Sequence, residues 1–227
     1  MDGHPTGYVT VSVDAEGQPS YVIHRPAAYD FAELDQDELA QIAARRPDWI
    51  SFGTLHQMDA RGRKLTRHIM DAAAGARRFY DVNLRRDSYD TGLVADLLGV
   101  ADAVKLNDAE VAELGRLLGL PCGSPEEFCR ANAGRFGWQA ACVTRGAAGC
   151  SVLVGDDFAE APGYAVAVAD TVGAGDAFAA AFLHSLGAGW QPEQIGDFAN
   201  RVGALVASRP GAIPEWTLEE IQSLDTC

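Results

Sequence analysis

The sequence predicts an α/β domain: a mostly parallel β-sheet covered by helices, with a small β-hairpin appended near its start. Three observations carry this. From residue 48 onward, short β-rich runs alternate with helical periods, the pattern of successive βαβ units. The helical stretches between those runs are long enough to carry the chain back to the start of a parallel strand. No repeat or low-complexity linker breaks the chain, so residues 1–227 read as one domain with residues 7–26 as its appendage.

Each element has its own signal. In residues 7–26, Val9, Val11 and Val13 alternate with Tyr8, Thr10 and Ser12, Asp14-Ala15-Glu16-Gly17 supplies a turn, and Tyr21-Val22-Ile23 returns. A lone two-stranded ribbon is marginal in water, so this one needs further strands or a partner. The period turns helical from Leu34 to Arg46, and a short apolar strand follows at 48–53. Residues 59–75 form a basic, Ala-rich helix, and 78–83 the next strand. A helix over Ser88–Leu98 leads to a strand at 103–106. Two helices, about 108–119 and 125–136, are split by Gly119-Leu120-Pro121. Strands are predicted at 140–145, 150–154 and 164–169, then helices at 174–186 and about 193–207.

Composition excludes several classes. Hydrophobic residues make up 48% and charged residues 22%, so the chain is neither disordered nor fibrous. No run approaches the ~18 apolar residues of a membrane span, and no membrane association is expected. The start, MDGHPTGYV, lacks a basic segment and an apolar core, so no secretory signal is read and a cytoplasmic location is expected. The net charge of −14 argues against nucleic acid as a partner. That charge is uneven: residues 61–86 hold eight of the 18 Lys and Arg. Two readings stand for this cluster, the wet face of a helix or arginines reaching an anionic ligand. The five Cys form no CxxC pair and the five His no metal-ligand spacing, so reduced thiols and no zinc site are expected.

The sharpest segment is Asp170-Thr171-Val172-Gly173-Ala174-Gly175-Asp176-Ala177-Phe178. Its glycines leave backbone N–H groups unobstructed where a helix starts, which makes an anion cradle. Asp176 falls in that helix's first turn. A carboxylate beside a bound phosphate is repulsive unless it accepts a proton from an attacking hydroxyl. The competing description is a Gly-rich turn whose acid is favoured by the helix dipole. A dinucleotide fingerprint is excluded because Phe178 stands where a small residue is required, and no Gly-Lys-[Ser/Thr] exists for a Walker A loop.

This string resembles the Asp-Thr-x-Gly-Ala-Gly-Asp signature of the PfkB (ribokinase-like) carbohydrate kinases. Asp81-Val82-Asn83-Leu84-Arg85 is similar to the family's Asp-x-Asn-x-Arg strand, Lys105-Leu106-Asn107-Asp108-Ala109-Glu110 to its Asn-x-x-Glu motif, and Val143-Thr144-Arg145-Gly146-Ala147-Ala148-Gly149 to its Thr-x-Gly-x-x-Gly nucleotide-side strand and turn. Ala199-Asn200 with Gly211-Ala212 resembles its adenine-side helix and closing loop. The resemblance implies a three-layer α/β/α fold with a small β lid, and an ATP-dependent phosphotransfer to a sugar hydroxyl. By position it makes Asp176 the base and Gly173, Ala174 and Gly175 the anion hole. Thr144, Gly146, Gly149 and Asn200 would bind nucleotide, and Asn83 and Arg85 would face substrate or phosphate. Asn107 and Glu110 would organise Mg2+ indirectly, and Asp170, with the loop around Ser208–Gly211, would lie where many relatives hold a monovalent cation such as K+.

Other descriptions of the same residues stay open. Asn107 and Glu110 also fit a capping box. Thr144-Arg145-Gly146 also fits a hairpin turn, Arg85 a solvated strand end, and Asn200 an ordinary helix position. Asp81, Asn83 and Arg85 alternate and are expected on one face of a strand end.

The family's members carry a strand and a Gly-Gly segment ahead of the hairpin, which give an N-terminal Asp to the sugar hydroxyls. Here residue 7 already falls in the second half of the lid. The nucleotide half and the base are therefore expected with only part of the sugar pocket. A sugar kinase is the first reading, and a catalytically silent nucleotide-binding protein on the same fold is the alternative. An exposed lid edge favours a homodimer through the lid. The stretch His24-Arg25-Pro26-Ala27-Ala28-Tyr29-Asp30 is similar to fructokinase-like members, which makes fructose the first expected acceptor and 2-keto-3-deoxygluconate the next.

Overall fold

The computed structural model of the protein describes residues 3–13, 19–85 and 88–224. Strands β1 (Val9–Val13) and β2 (Pro19–Ile23) pair antiparallel, with Val9 opposite Ile23 and Val13 opposite Pro19. The expected turn at Asp14–Gly17 lies outside the described residues. The two strands make a sheet of their own, and Tyr8, Val9, Val11 and Val22 are exposed on it.

The main sheet has six strands in sequential order: β3 (Trp49–Gly53), β4 (Arg77–Asp81), β5 (Ala103–Asn107), β6 (Ala140–Thr144), β7 (Cys150–Val154) and β8 (Asp157–Ala161). The pairs from β3 to β6 are parallel, and β7 and β8 add antiparallel. Parallel strands need crossovers, and the helices supply them. In chain order they are α1 (Gln36–Arg45), α2 (Thr54–Gln57), α3 (Ala60–Ala72), α4 (Thr91–Val100), α5 (Asp108–Leu118), α6 (Pro125–Phe136), α7 (Ala174–Gly187), α8 (Pro192–Ala207) and α9 (Leu218–Gln222).

Local sequence sets the helix ends. Asp35 accepts from Glu38 N at 2.8 Å while Glu38 Oε2 accepts from Asp35 N at 2.9 Å, a reciprocal box that starts α1. Ser124 and Glu127 do the same for α6, which begins with Pro125 and ends at Gly137 in the left-handed region at φ 79°. Asp90 accepts from Leu93 N at 2.8 Å and starts α4, three residues later than the sequence placed it.

Two apolar cores sandwich the sheet. On one face Tyr80, Val104, Leu106 and Val143 pack with Leu97, Leu98, Leu114 and Phe128 from α4, α5 and α6. On the other, Phe79, Ala103, Cys142 and Val152 pack with Phe178, Phe182, Ile195 and Val202 from α7 and α8. The strand residues alternate between the cores along β4, β5 and β6, as a strand buried on both faces must.

One predicted strand is corrected. Residues 164–169 do not form one; the strand is β8, at Asp157–Ala161, closed back on β7. Gly155, at φ 56°, turns the chain there. Pro162 and Gly163 then follow β8, and further on Ala169 N and Asp170 N donate to Ala207 O at 2.9 and 3.2 Å. Tyr164, Val166 and Val168 of this segment instead line a cleft.

Three residues of the basic cluster are held within the fold. Arg63 donates to the Gln57 and Met58 carbonyls, Arg78 pairs with Asp102, and the Arg77 guanidinium stacks 4.0 Å over Trp49. Arg86 lies outside the described residues.

Candidate active site

Because β3 to β6 are parallel, Asp81, Asn107 and Thr144 end three strands on one edge of the sheet. Open α/β sheets bind ligands at this edge. The N-terminus of α7 starts at Gly173, whose φ of 83° is left-handed. A Cβ there would collide with the Ala212 carbonyl oxygen and lie 2.7 Å from its Cα. Glycine is thus required, and it brings the 211–212 loop against the start of α7. Asp176 follows in the first turn, exposed.

A cleft of about 500 Å³ opens between this helix start, the ends of β5 and β6, and α8, a size ordinary for small-molecule sites. Its lining includes Thr144, Gly146, Gly149, Ala174, Gly175 and Asn200. Thr144 Oγ1 donates to Leu106 O at 3.4 Å. Gly149, at φ 92°, lets its backbone meet the chain after β8: a Cβ there would lie 2.6 Å from Gly163 N. Gly163 packs the same way on Ala147. Asn200 is buried, and its Nδ2 donates to Ala161 O and Pro162 O at 3.2 and 2.9 Å, which fastens α8 to the wall of the cleft. Tyr164, on the same wall, donates its hydroxyl to Asp197. Burial first, then Asp197, pushes that phenol up to about 12.

Asp81 and Lys105 are neighbours in the β4–β5 register. The Lys105 Nζ lies 3.0 Å from both Asp81 carboxylate oxygens. Burial raises the Asp81 pKa, Lys105 works against that, and the charge of Asp176 adds to the rise. Asn83 and Arg85 follow β4 and are exposed. The expected alternation from Asp81 to Arg85 does not continue, because β4 ends at Asp81 and Asn83 sits at φ 37°.

Asn107 and Glu110 form a complete capping box. Asn107 Oδ1 accepts from Glu110 N at 2.9 Å, and Glu110 Oε2 accepts from Asn107 N at 2.8 Å. Glu110 Oε1 also accepts from Leu84 N at 2.8 Å, so this carboxylate ties the segment after β4 to the start of α5. Each of these oxygens takes one backbone N–H, so as found the pair orders the backbone at the ends of β4 and β5. Among the described residues no group of three or more His, Cys, Asp or Glu is placed to hold a metal. Asp170 is engaged likewise, accepting from Val172 N at 3.0 Å and Gly211 N at 3.2 Å. It latches the loop before α7 to the loop after α8.

The model of the pfkB family carbohydrate kinases matches residues 1–218. The chain belongs to the PfkB family of carbohydrate kinases. Solved structures of similar fold include a fructokinase with bound ATP from Xylella fastidiosa, at 24% identity and a TM-score of 0.78, covering 98% of this chain and 74% of that one. A 2-dehydro-3-deoxygluconokinase from Thermotoga maritima is 18% identical at a TM-score of 0.76, with 96% and 72% covered. A nucleoside kinase from Burkholderia thailandensis in complex with inosine is 20% identical at 0.67, with 91% and 62% covered. No curated protein matches the chain in sequence. At these identities the structural likeness is one of fold: the three-layer sheet of the PfkB kinases is the sheet found here. Among the described residues no helix is long and apolar enough to cross a membrane.

Sequence reasoning passed over Lys105, Gly163 and the wall at 164–168. Lys105 had a signal: a lysine inside the run Ala103-Val104-Lys105-Leu106 is out of place in a strand buried on both faces.

Proposed function

We propose that this PfkB-family sugar kinase transfers the γ-phosphoryl group of ATP to a hydroxyl of a fructose-like hexose, with Asp176 as the base. The supporting observation is a juxtaposition. Asp176 follows the glycine turn of α7 directly, and that turn opens on the cleft lined by Thr144, Gly146 and Gly149. In this reading the triphosphate lies along the cleft with its terminal phosphate against the backbone N–H groups of residues 173–175. The acceptor oxygen attacks phosphorus, the bond to the β-phosphate oxygen breaks, ADP leaves, and the hydroxyl proton passes to Asp176. Such a transition state asks for positioning and charge stabilisation more than covalent chemistry. Magnesium enters as the ion the triphosphate carries. The fructose assignment rests on residues 24–30 and on the fructokinase of similar fold; a cytoplasmic enzyme that pairs through the β1–β2 hairpin completes the reading.

A coupled ADP-release assay over a sugar panel at saturating MgATP tests this. Sugar-dependent ADP formation is expected, greatest with fructose. Asp176→Asn is expected to lower turnover by about 10²–10⁴-fold, the usual weight of a general base, while ATP affinity by calorimetry stays within about threefold. Wild-type turnover in Asp176→Asn would refute the role of Asp176.

A further inference from the structure

Lys105 is the charged residue of the cleft: the described residues that line it include no other. In β5 it shares the face of Ala103, toward α7 and α8, while Val104 and Leu106 point into the opposite core. Its side chain is 10% exposed and that of its partner Asp81 is 16%. An ion pair at this depth adds little to stability over apolar packing of the same volume, so packing alone gives no reason for it. The ammonium also reaches the start of α7, since a Cβ built on Gly175 would lie 4.0 Å from Nζ. An ammonium has three donors. Asp81 engages two of them, one to each oxygen, which leaves the third for a ligand in the cleft.

We propose that Lys105 is the phosphate-contacting residue of this cleft: its ammonium, oriented by Asp81, binds the terminal phosphates of ATP opposite the backbone N–H groups of residues 173–175. This rests on the reading of the site as an ATP site. In a chain of net charge −14, such a cation gives a polyanionic ligand its local attraction, and it opposes the charge that builds on the phosphates during transfer. Asp81 is then a positioning residue.

The test is calorimetric titration of ATP and AMP into the wild-type chain, Lys105→Met, and the Lys105→Met/Asp81→Asn double variant. The double variant leaves no buried carboxylate unpaired and carries the test if the single one unfolds. Lys105→Met is expected to weaken ATP binding at least tenfold and AMP binding less than threefold, with the same result in the double variant. If the double variant recovers wild-type ATP affinity, Lys105 only neutralises Asp81 and the proposal falls. It falls also if ATP affinity is unchanged, or if ATP and AMP weaken equally. The ADP-release assay separates the two levels. Lys105-dependent ATP binding without phosphorylation of any sugar supports the proposal and defeats the kinase reading. Absence of ATP binding by the wild-type chain defeats both.

Discussion

At Gly173 the backbone accepts nothing larger than hydrogen. Its φ of 83° and the approach of Ala212 both exclude a Cβ, so Gly173→Ala is expected to destabilise the fold by about 1–3 kcal/mol from conformation alone and more from the collision. Gly175→Ala lies two residues on, inside α7, where its Cβ would meet only Lys105 Nζ at an ordinary contact distance of 4.0 Å, and is expected to cost nothing, since alanine is the better helix former by ~1 kcal/mol. Urea denaturation midpoints of the two variants check this contrast; equal losses would contradict it. The string itself shows both glycines and cannot show which one is sterically forced, because the neighbour that forces it is 39 residues away. Glu110 carries a second residue-scale prediction. Burial raises its pKa, against the lowering effect of the Asn107 and Leu84 N–H groups. The folded chain therefore holds this proton to higher pH than the unfolded one. The contribution to stability is complete below the ordinary carboxylate value and is lost as pH rises through the raised value. Glu110→Gln removes the titration, so the stability lead of the wild type over this variant is expected to shrink as pH rises above the ordinary carboxylate range. Thermal melts from that range upward read it, and a lead that grows with pH would be the wrong sign.

At the scale of elements, what is local was legible and what depends on a partner was not. Helices α5 and α6 announce themselves through Asn107 with Glu110 and Ser124 with Glu127, pairs three residues apart whose bonds form within one turn. Strand β8, Asp-Phe-Ala-Glu-Ala, has little β-propensity of its own; it exists because the turn at Gly155 lays it beside β7. Residues 164–168 have the opposite character, a β-like period with no strand to pair, and they serve the cleft instead. The caps allow a direct test. Asp90→Ala removes the acceptor for Leu93 N and is expected to cost ~1 kcal/mol, enough to shift the urea midpoint because α4 buries Leu93, Val94, Leu97 and Leu98. An unchanged midpoint would mean that packing alone holds the start of α4.

Over the whole molecule the candidate site is assembled from three strand ends and one helix start spread between Asp81 and Asn200, and the sequence marked most of these positions because phosphate chemistry dictates residue types at short spacing. Lys105 escaped because its meaning comes from register: only the parallel pairing of β4 with β5 sets it against Asp81. The β1–β2 hairpin stands apart from this economy. Among the described residues it joins neither core and pairs with no strand of the main sheet, and a ribbon of this kind is marginal by itself. Native-state hydrogen exchange is expected to show its amides opening with free energies far below those of β5 and β6, which are buried on both faces and open only near global unfolding. If two copies pair through the hairpin, its protection must rise with protein concentration, because association stabilises by mass action. Protection that stays low from micromolar to millimolar chain would exclude the dimer, whereas high protection at every concentration would mean that the hairpin is fastened to its own chain.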